Sequence, residues 1–419
     1  MYKLTNFCFI YILSLPFIFI IGVGPYNISL ALISIISIYV IYKDKEFIFR
    51  SRFRVFYLFF LIFYCYLVFN SIISDFRDDS FSRSIPYIKN FFLVFLSDYV
   101  ITNTNNERFK NNLKIIFWVY SAIFFIVFIF IILELLNIDF NFIEYADVDY
   151  RLSGPFGKEA IVGSFILSYM AFYIYLLNYF LIDKKKIIIF FIISIFSIVL
   201  SGERMTIIMF FFCIIIYLFH TLFTVADFKR AIFNFKIFKI ACITIIFIMG
   251  FFVITKSIID KDRIDSYNFR INQTINELTD FKNTSYFDHF KTGYYIFLNN
   301  KLTGSGVKSF RYECSNDIYN FIDGNPDNRC RTHPHNLYIE ILAETGILGL
   351  IFLFIIFYLI LSKLFNRYNF NNNFILYLPI IYYLWPIKTS GSFFSSTYGS
   401  IIWYFIAFFI LTSTIKKNK

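Results

Sequence analysis

Along this chain, apolar residues come in long unbroken runs and polar residues in short clusters between them. The runs fall near 7–24, 27–42, 55–74, 84–101, 113–137, 160–182, 187–202, 205–220, 240–256, 338–361, 374–387 and 399–414. A helix of about 20 residues crosses a typical bilayer, so the pattern predicts about twelve spans, several of them short. The run at 84–101 is the odd one. Arg83 lies beside it and Lys89 inside it, as suits a tilted or re-entrant segment. The first run, FCFIYILSLPFIFIIGVG, has only Lys3 ahead of it and no A-x-A-like cleavage site after it. It reads as a signal anchor or first spanning helix.

One polar stretch breaks the rhythm. Residues 257–337 form a loop too long to be a simple connection, and loops of that length are usually functional or partly folded. Within it, INQTINELTDF reads as helix, YFDHFKTGYYIFLNN as an amphipathic helix, and LTGSGVKSF as the turn after it. The pattern divides the chain into N-terminal transmembrane helices (1–256, about nine spans), a large periplasmic loop or cap (257–337) and C-terminal transmembrane helices (338–419, about three spans).

Composition sharpens this into an all-α, polytopic membrane protein. Hydrophobic residues make up 58 % of the 419, aromatics 23 % and charged residues only 16 %. A soluble fold has nowhere to bury so much apolar surface, whereas lipid is a solvent for it. The net charge of +11 raises nucleic acid as a partner, but the basic residues sit between apolar runs, where they set topology instead. With the N-terminus inside, KDKEFIFRSRFR, ERFKNNLK, DKKK, FKRAIFNFKIFK, SKLFNR and the KKNK tail all face the cytoplasm. Twelve spans then put both termini in the cytoplasm and the long loop outside.

Candidate chemistry gathers at the edge of that loop. In RTHPHNLYIEILAETGILGL (331–350), His333 and His335 flank Pro334, which disfavours helix just before itself. His335 thus stands at the mouth of the following helix, where a neutral imidazole can accept a proton; two solvated loop histidines are the plainer reading. Glu340 and Glu344, four apart, share a helix face and suit either orienting a histidine or arginine or anchoring at the interface. Gly346 and Gly349 suit close helix packing. In SGERMT (201–206), Arg204 has Glu203 as its neighbour between long apolar runs. Its fork of donors suits phosphate, and snorkelling to water is the alternative. The loop adds the cations Arg263, Arg270, Lys291, Lys308, Arg311, Arg329 and Arg331, a field that attracts an anionic headgroup. The glycines of GSG (304–306) suit a phosphate cradle of backbone N–H groups, although GSG lacks the GKS or GKT ending of a P-loop. His289 is either catalytic or interfacial. Cys314 and Cys330 are placed for a disulfide if the loop is periplasmic; without C-x-x-C spacing no metal site is expected. WPIKTSGSFFSS (385–396) suits the lining of an acceptor cleft.

HPHNLYIEILAETGILGL (333–350) resembles the signature of the O-antigen ligase and O-antigen polymerase superfamily. SGER with Arg204 is similar to an arginine-bearing outer motif of that family, and IFLNNKLTGSGVKSFR (296–311) to the stretch that precedes its catalytic histidine. The order of the three also matches. The resemblance implies a helical fold with a periplasmic cap, His335 as the catalytic residue, and Arg204 with a loop arginine (Arg263, Arg270 or Arg311) as diphosphate ligands. His289, which also competes for that second place, His333, Glu340 and Glu344 are accessory candidates. It further implies an undecaprenyl-diphosphate-linked glycan donor, a lipid A–core or lipid-linked glycan acceptor, a bacterial inner-membrane location among membrane lipids, and no cofactor. The motifs do not separate ligase from polymerase. A transporter of lipid-linked glycan or polysaccharide is the non-enzymatic alternative, although charge sits at span ends and no internal repeat is visible.

Overall fold

The computed structural model describes residues 2–136, 138, 151–224, 272–273, 276–277, 279–367, 373–389 and 391–412. In chain order the main helices are α1 (Tyr2–Leu13), α2 (Leu15–Ile21), α3 (Val23–Lys43), α4 (Arg54–Ile73), α5 (Lys89–Thr102), α6 (Asn106–Leu135), α7 (Val162–Tyr179), α8 (Lys184–Leu200), α9 (Arg204–Thr224), α10 (Ser285–Asn299), α11 (Leu337–Arg367) and α12 (Tyr398–Thr412). No strand occurs among the described residues. The protein is an all-α polytopic membrane protein.

Five described helices are long and apolar enough to cross a bilayer: α3, α4, α6, α7 and Leu337–Phe365 within α11. A sixth span forms if α1 and α2, bent by 53° where Pro16 interrupts the backbone ladder, are counted together. The described residues therefore fall short of about twelve spans, and the reason is length. The apolar runs around α5 and α12 fold into helices of 14 and 15 residues. At 1.5 Å per residue these reach about 22 Å, less than the ~30 Å hydrocarbon core. The run at 240–256 lies outside the described residues.

By contacts the chain forms two compact units. The first comprises Met1–Ile116, Asp280–Phe370 and Tyr383–Lys419; the second comprises Phe117–Thr279 and Asn371–Tyr382. In the first, α5 is the central post, with α1, α3 and α12 packed on it. Nearly every residue from Asn90 to Ile101 is buried, which explains how a helix too short to span is nonetheless held. Its charges are matched internally. Lys89 Nζ donates to Asn27 Oδ1 (3.0 Å) and the Ser396 carbonyl (2.7 Å). Asp98 accepts from Ser51 Oγ (2.7 Å) and Tyr57 OH (3.1 Å) and pairs with Arg52 (3.1 Å). Trp403 of α12 is fully buried against Phe56, Phe60 and Phe357, and its indole N–H reaches Tyr87 OH at 3.2 Å, the partner a buried Trp needs. Also within the first unit, α11 packs on α4 and α10. In the second unit, α8 and α9 pack on α7.

Candidate functional site

The site in the first unit is built around the start of α11. Asn336 caps that helix: its Oδ1 accepts the N–H groups of Tyr338 (3.1 Å) and Ile339 (3.2 Å), satisfying donors that a helix start leaves open. Its Nδ2 donates to the Pro386 carbonyl at 2.7 Å, and Tyr338 OH reaches the Leu384 carbonyl at 2.6 Å. The cap is thereby tied to the segment preceding α12. Immediately before it, His335 is held at φ +56°, a left-handed conformation that costs a residue with a Cβ of order 1 kcal/mol or more.

Eleven residues after His335, α11 breaks. Gly346 has φ +63° and ψ −168° inside the helix. The freed backbone groups pair with the turn after α10. Ser305 N–H donates to the Ala343 carbonyl (2.9 Å) and Gly306 N–H to that of Glu344 (2.9 Å), while Ile347 N–H donates to the Lys301 carbonyl (2.9 Å). A Cβ on Gly346 would collide with the Leu302 carbonyl, and one on Gly304 with the Glu344 backbone. The glycines of LTGSG thus serve a close backbone approach. The Ser305 and Gly306 N–H groups are committed to α11, so GSG is not a phosphate cradle.

Glu340 and Glu344 are fully buried and work on loops. Glu344 accepts the N–H of Lys308 at 2.6 Å and that of Phe310 at 3.4 Å. Glu340 accepts the Phe393 N–H at 2.9 Å and the Ser392 hydroxyl, and the Lys308 ammonium, itself hydrogen-bonded to Ser392, lies 3.9 Å from it. The two carboxylates therefore lock the turn after α10 and the 391–394 segment onto α11. Lys308 belongs to this lock and not to an open cationic field.

Above the lock, three of the four histidines come together. His333 and His335 have ring centres 4.3 Å apart, and His289 of α10 lies 5.4 Å from His335. Tyr286 packs its ring edge-to-face against His335 (5.6 Å) and His289 (6.2 Å). His333 and His335 are half-buried, whereas His289 is only 2 % exposed. The Asn328 backbone lies near enough to favour its charged form slightly, yet neither ring nitrogen of His289 completes a hydrogen bond. Burial pushes the His335 imidazole down to about 4, helped by His333 and Arg331. Burial likewise pushes His289 to about 4, helped by His335, Arg331 and His333. Both rings are neutral at ordinary pH. Nothing in the residue spacing singled out Tyr286, the ring that touches both. Among the described residues no group of three His, Cys, Asp or Glu is arranged to hold a metal ion.

Cys314 and Cys330 are joined by a disulfide. Arg329, fully buried, donates to the carbonyls of Cys314 (2.9 Å), Asp323 (2.5 Å) and Asn316 (3.2 Å). It is a fold-holding residue, removed from the surface field that the sequence suggested. Arg331 is exposed and rests on the Asp327 and Cys330 carbonyls. Arg311 is half-buried, and its Nε makes no hydrogen bond among the described residues. Arg263 and Arg270 lie outside the described residues.

In the second unit, Arg204 opens α9. Its guanidinium meets the Glu277 carboxylate through both terminal nitrogens, at 3.2 and 3.3 Å. The adjacent Glu203 turns away to a different task. It accepts the N–H groups of Gly163 (2.6 Å) and Ser164 (3.1 Å) and the Thr206 hydroxyl (3.0 Å), capping α7. Arg204's acidic partner is thus 73 residues distant in sequence, not its neighbour.

Residues 189–354 match the family model described as O-antigen ligase. The match covers two fifths of the chain and includes Arg204, the His289–His333–His335 cluster, Glu340 and Glu344. No curated protein matches the chain.

Proposed function

Residues 189–354 match the O-antigen ligase family model, and from that premise we propose that the protein is a membrane glycosyltransferase of the O-antigen ligase type. It moves an oligosaccharide from undecaprenyl diphosphate to a hydroxyl of lipid A–core at the periplasmic face of the bacterial inner membrane, with both termini cytoplasmic. The observation that carries the reading is His335. It is a neutral, half-buried imidazole fixed at the mouth of a membrane-length helix, inside the family-matched region.

In this reading His335 takes the proton of the acceptor hydroxyl. The oxygen attacks the anomeric carbon, and the bond from that carbon to the phosphate oxygen breaks. The electron pair leaves with undecaprenyl diphosphate. Such base assistance is typically worth about 10²- to 10⁴-fold in rate. Arg204 holds the diphosphate and offsets the charge that grows on it as it departs, together with a loop arginine, for which Arg311, Arg263 and Arg270 remain the candidates. A single displacement inverts the anomeric configuration.

The test is a product assay with purified protein, lipid-linked repeat units and lipid A–core. Glycan on the core establishes the ligase. Longer lipid-linked chains instead identify the polymerase of the same superfamily, and glycan moved across vesicles unchanged identifies a transporter. His335→Ala and Arg204→Ala should abolish transfer while leaving the protein folded; full activity in His335→Ala overturns the assignment.

A further inference from the structure

A buried imidazole without a partner is expensive, since a polar group removed from water needs a hydrogen bond to offset the loss. His289 is such a group: 2 % exposed, with both ring nitrogens covered and neither completing a hydrogen bond. Its neighbours narrow the choice of partner. The Asn328 backbone lies near the ring, but a carbonyl can only take the ring N–H and leaves the lone pair of the neutral imidazole unmatched. Arg331 could donate to the ring's lone pair, but it is exposed and its Nη1 is already spent on two backbone carbonyls. His333 Nδ1 pairs with the Thr332 hydroxyl at 3.0 Å. Tyr286 meets the His289 ring at 89°, presenting packing rather than stacking. His335 remains, its ring centre 5.4 Å away and its plane tilted by 41°. An in-line N–H···N bond of about 2.9 Å holds two imidazole centres about 5 Å apart. The separation of the ring centres suits such a bond, which forms when a nitrogen of each ring is turned toward the other. Catalytic hydrogen bonds commonly tighten only once substrate is bound.

We propose that His289 is the positioning partner of His335: its buried imidazole accepts the ring N–H of His335 and so fixes which nitrogen of His335 faces the acceptor hydroxyl. The inference rests on the reading that His335 takes the acceptor proton. As the proton leaves the hydroxyl for the free nitrogen of His335, the opposite N–H of the same ring stays donated to His289. The new positive charge is thereby shared across the pair, with no further reactant. Tyr286, packed on both rings, holds the two in register. Because His289 is itself kept neutral, it retains the lone pair the bond needs.

The test uses full-length protein in nanodiscs with donor and acceptor varied separately. His289→Phe fills the space without an acceptor atom, and His289→Asn restores one. Fixing the orientation of a reactive imidazole is commonly worth about 10- to 100-fold. The expectation is that His289→Phe loses activity on that scale in kcat, with both KM values within about twofold of wild type, and that His289→Asn recovers at least about tenfold of the loss. Wild-type kcat in His289→Phe, equal impairment of the Phe and Asn variants, or a defect confined to acceptor KM each overturns the proposal. Should His289→Phe not fold, ¹⁵N resonances of the histidine rings decide in the wild-type protein and His289→Asn. A single His335 tautomer on substrate binding supports the pair, and mixed tautomers in the wild type refute it. His335→Ala separates the two ideas: if it is inactive while His289→Phe is unimpaired, only the positioning role fails; if it is active, the underlying reading fails.

Discussion

The Glu344 carboxylate takes the backbone N–H of Lys308 at 2.6 Å, and through that bond the turn after α10 is fixed to a membrane helix whose first turn follows His335. One turn earlier, Glu340 holds Phe393 N–H and Ser392. The histidine cluster is therefore framed by two carboxylates that never touch it.

Removing the Glu344 carboxylate should unlock this frame. Glu344→Ala leaves the Lys308 and Phe310 N–H groups buried without an acceptor. Losing the partner of a buried polar group costs about 1–3 kcal/mol, so a loss near ~3 kcal/mol is expected for two. Glu344→Gln keeps one acceptor oxygen and should lose about half as much. Thermal unfolding in detergent reads both; equal melting of the Ala variant and wild type would show that the lock contributes nothing.

The contrast between Glu344 and Arg329 shows how far the chain could be read in advance. The i, i+4 spacing placed Glu340 and Glu344 on one face of a helix at the bilayer edge, and Asn336 after His335 marked a helix start, because these are local relations. What the carboxylates bind was not local: Lys308 and Phe393 come from segments 36 and 53 residues away. Arg329 and Lys308 looked like surface cations because only tertiary contacts reveal that carbonyls and carboxylates surround them. Arg204 was legible as an unusual charge, but its partner Glu277 lies in the long loop, 73 residues away. The all-helical membrane class followed from composition; the span count did not, because an apolar run sets neither the length nor the tilt of the helix it forms.

The disulfide and Arg329 should stabilise one and the same piece of chain. Cys314 and Cys330 close a loop of sequence separation 16, worth about 3 kcal/mol by chain entropy. Arg329 supplies donors to carbonyls of that loop. Cys314→Ser/Cys330→Ser and Arg329→Met should each loosen residues 310–330, and the triple variant should cost less than the sum, because the two changes act on shared contacts. Hydrogen exchange of that segment measures it, and strict additivity would mean that the two act on separate parts.

The pH dependence follows from His335. Its pKa is lowered to about 4 by burial, His333 and Arg331, so the neutral base dominates at every pH above that value. The acid limb of kcat/KM, which reports the free enzyme, should therefore lie near 4 and not near 6.5. A bound diphosphate stabilises the imidazolium, so the limb of kcat should lie higher. Arg331→Gln removes a cation that holds the value down and should move the kcat/KM limb upward. Stability runs the same way: between about 6.5 and 4 the unfolded chain binds protons that folded His289 and His335 refuse, so the fold weakens as pH falls through that window. Rate profiles from pH 3.5 to about 8 test this, and an acid limb near 6.5 for kcat/KM would contradict it.

The Arg204–Glu277 pair makes a competition prediction. The guanidinium already grips a carboxylate through two nitrogens, at 3.2 and 3.3 Å, and both side chains are about one quarter exposed. If Arg204 binds the donor's diphosphate, that anion must displace Glu277, and part of the donor's binding energy is spent doing so. Partly exposed ion pairs are worth about 0.2–1 kcal/mol, which converts to a factor of about 1.5 to 5. Glu277→Gln should lower the donor KM by that factor without changing acceptor KM. Arg204→Lys, which keeps the charge but loses the planar fork, should raise donor KM, and Arg204→Ala should abolish transfer. The double variant Arg204→Ala/Glu277→Gln should behave like Arg204→Ala alone, since the carboxylate matters only while the guanidinium is there to be contested. A Glu277→Gln protein whose donor KM rises, or whose effect survives in the absence of Arg204, would mean that the pair serves the fold and that the diphosphate is held elsewhere.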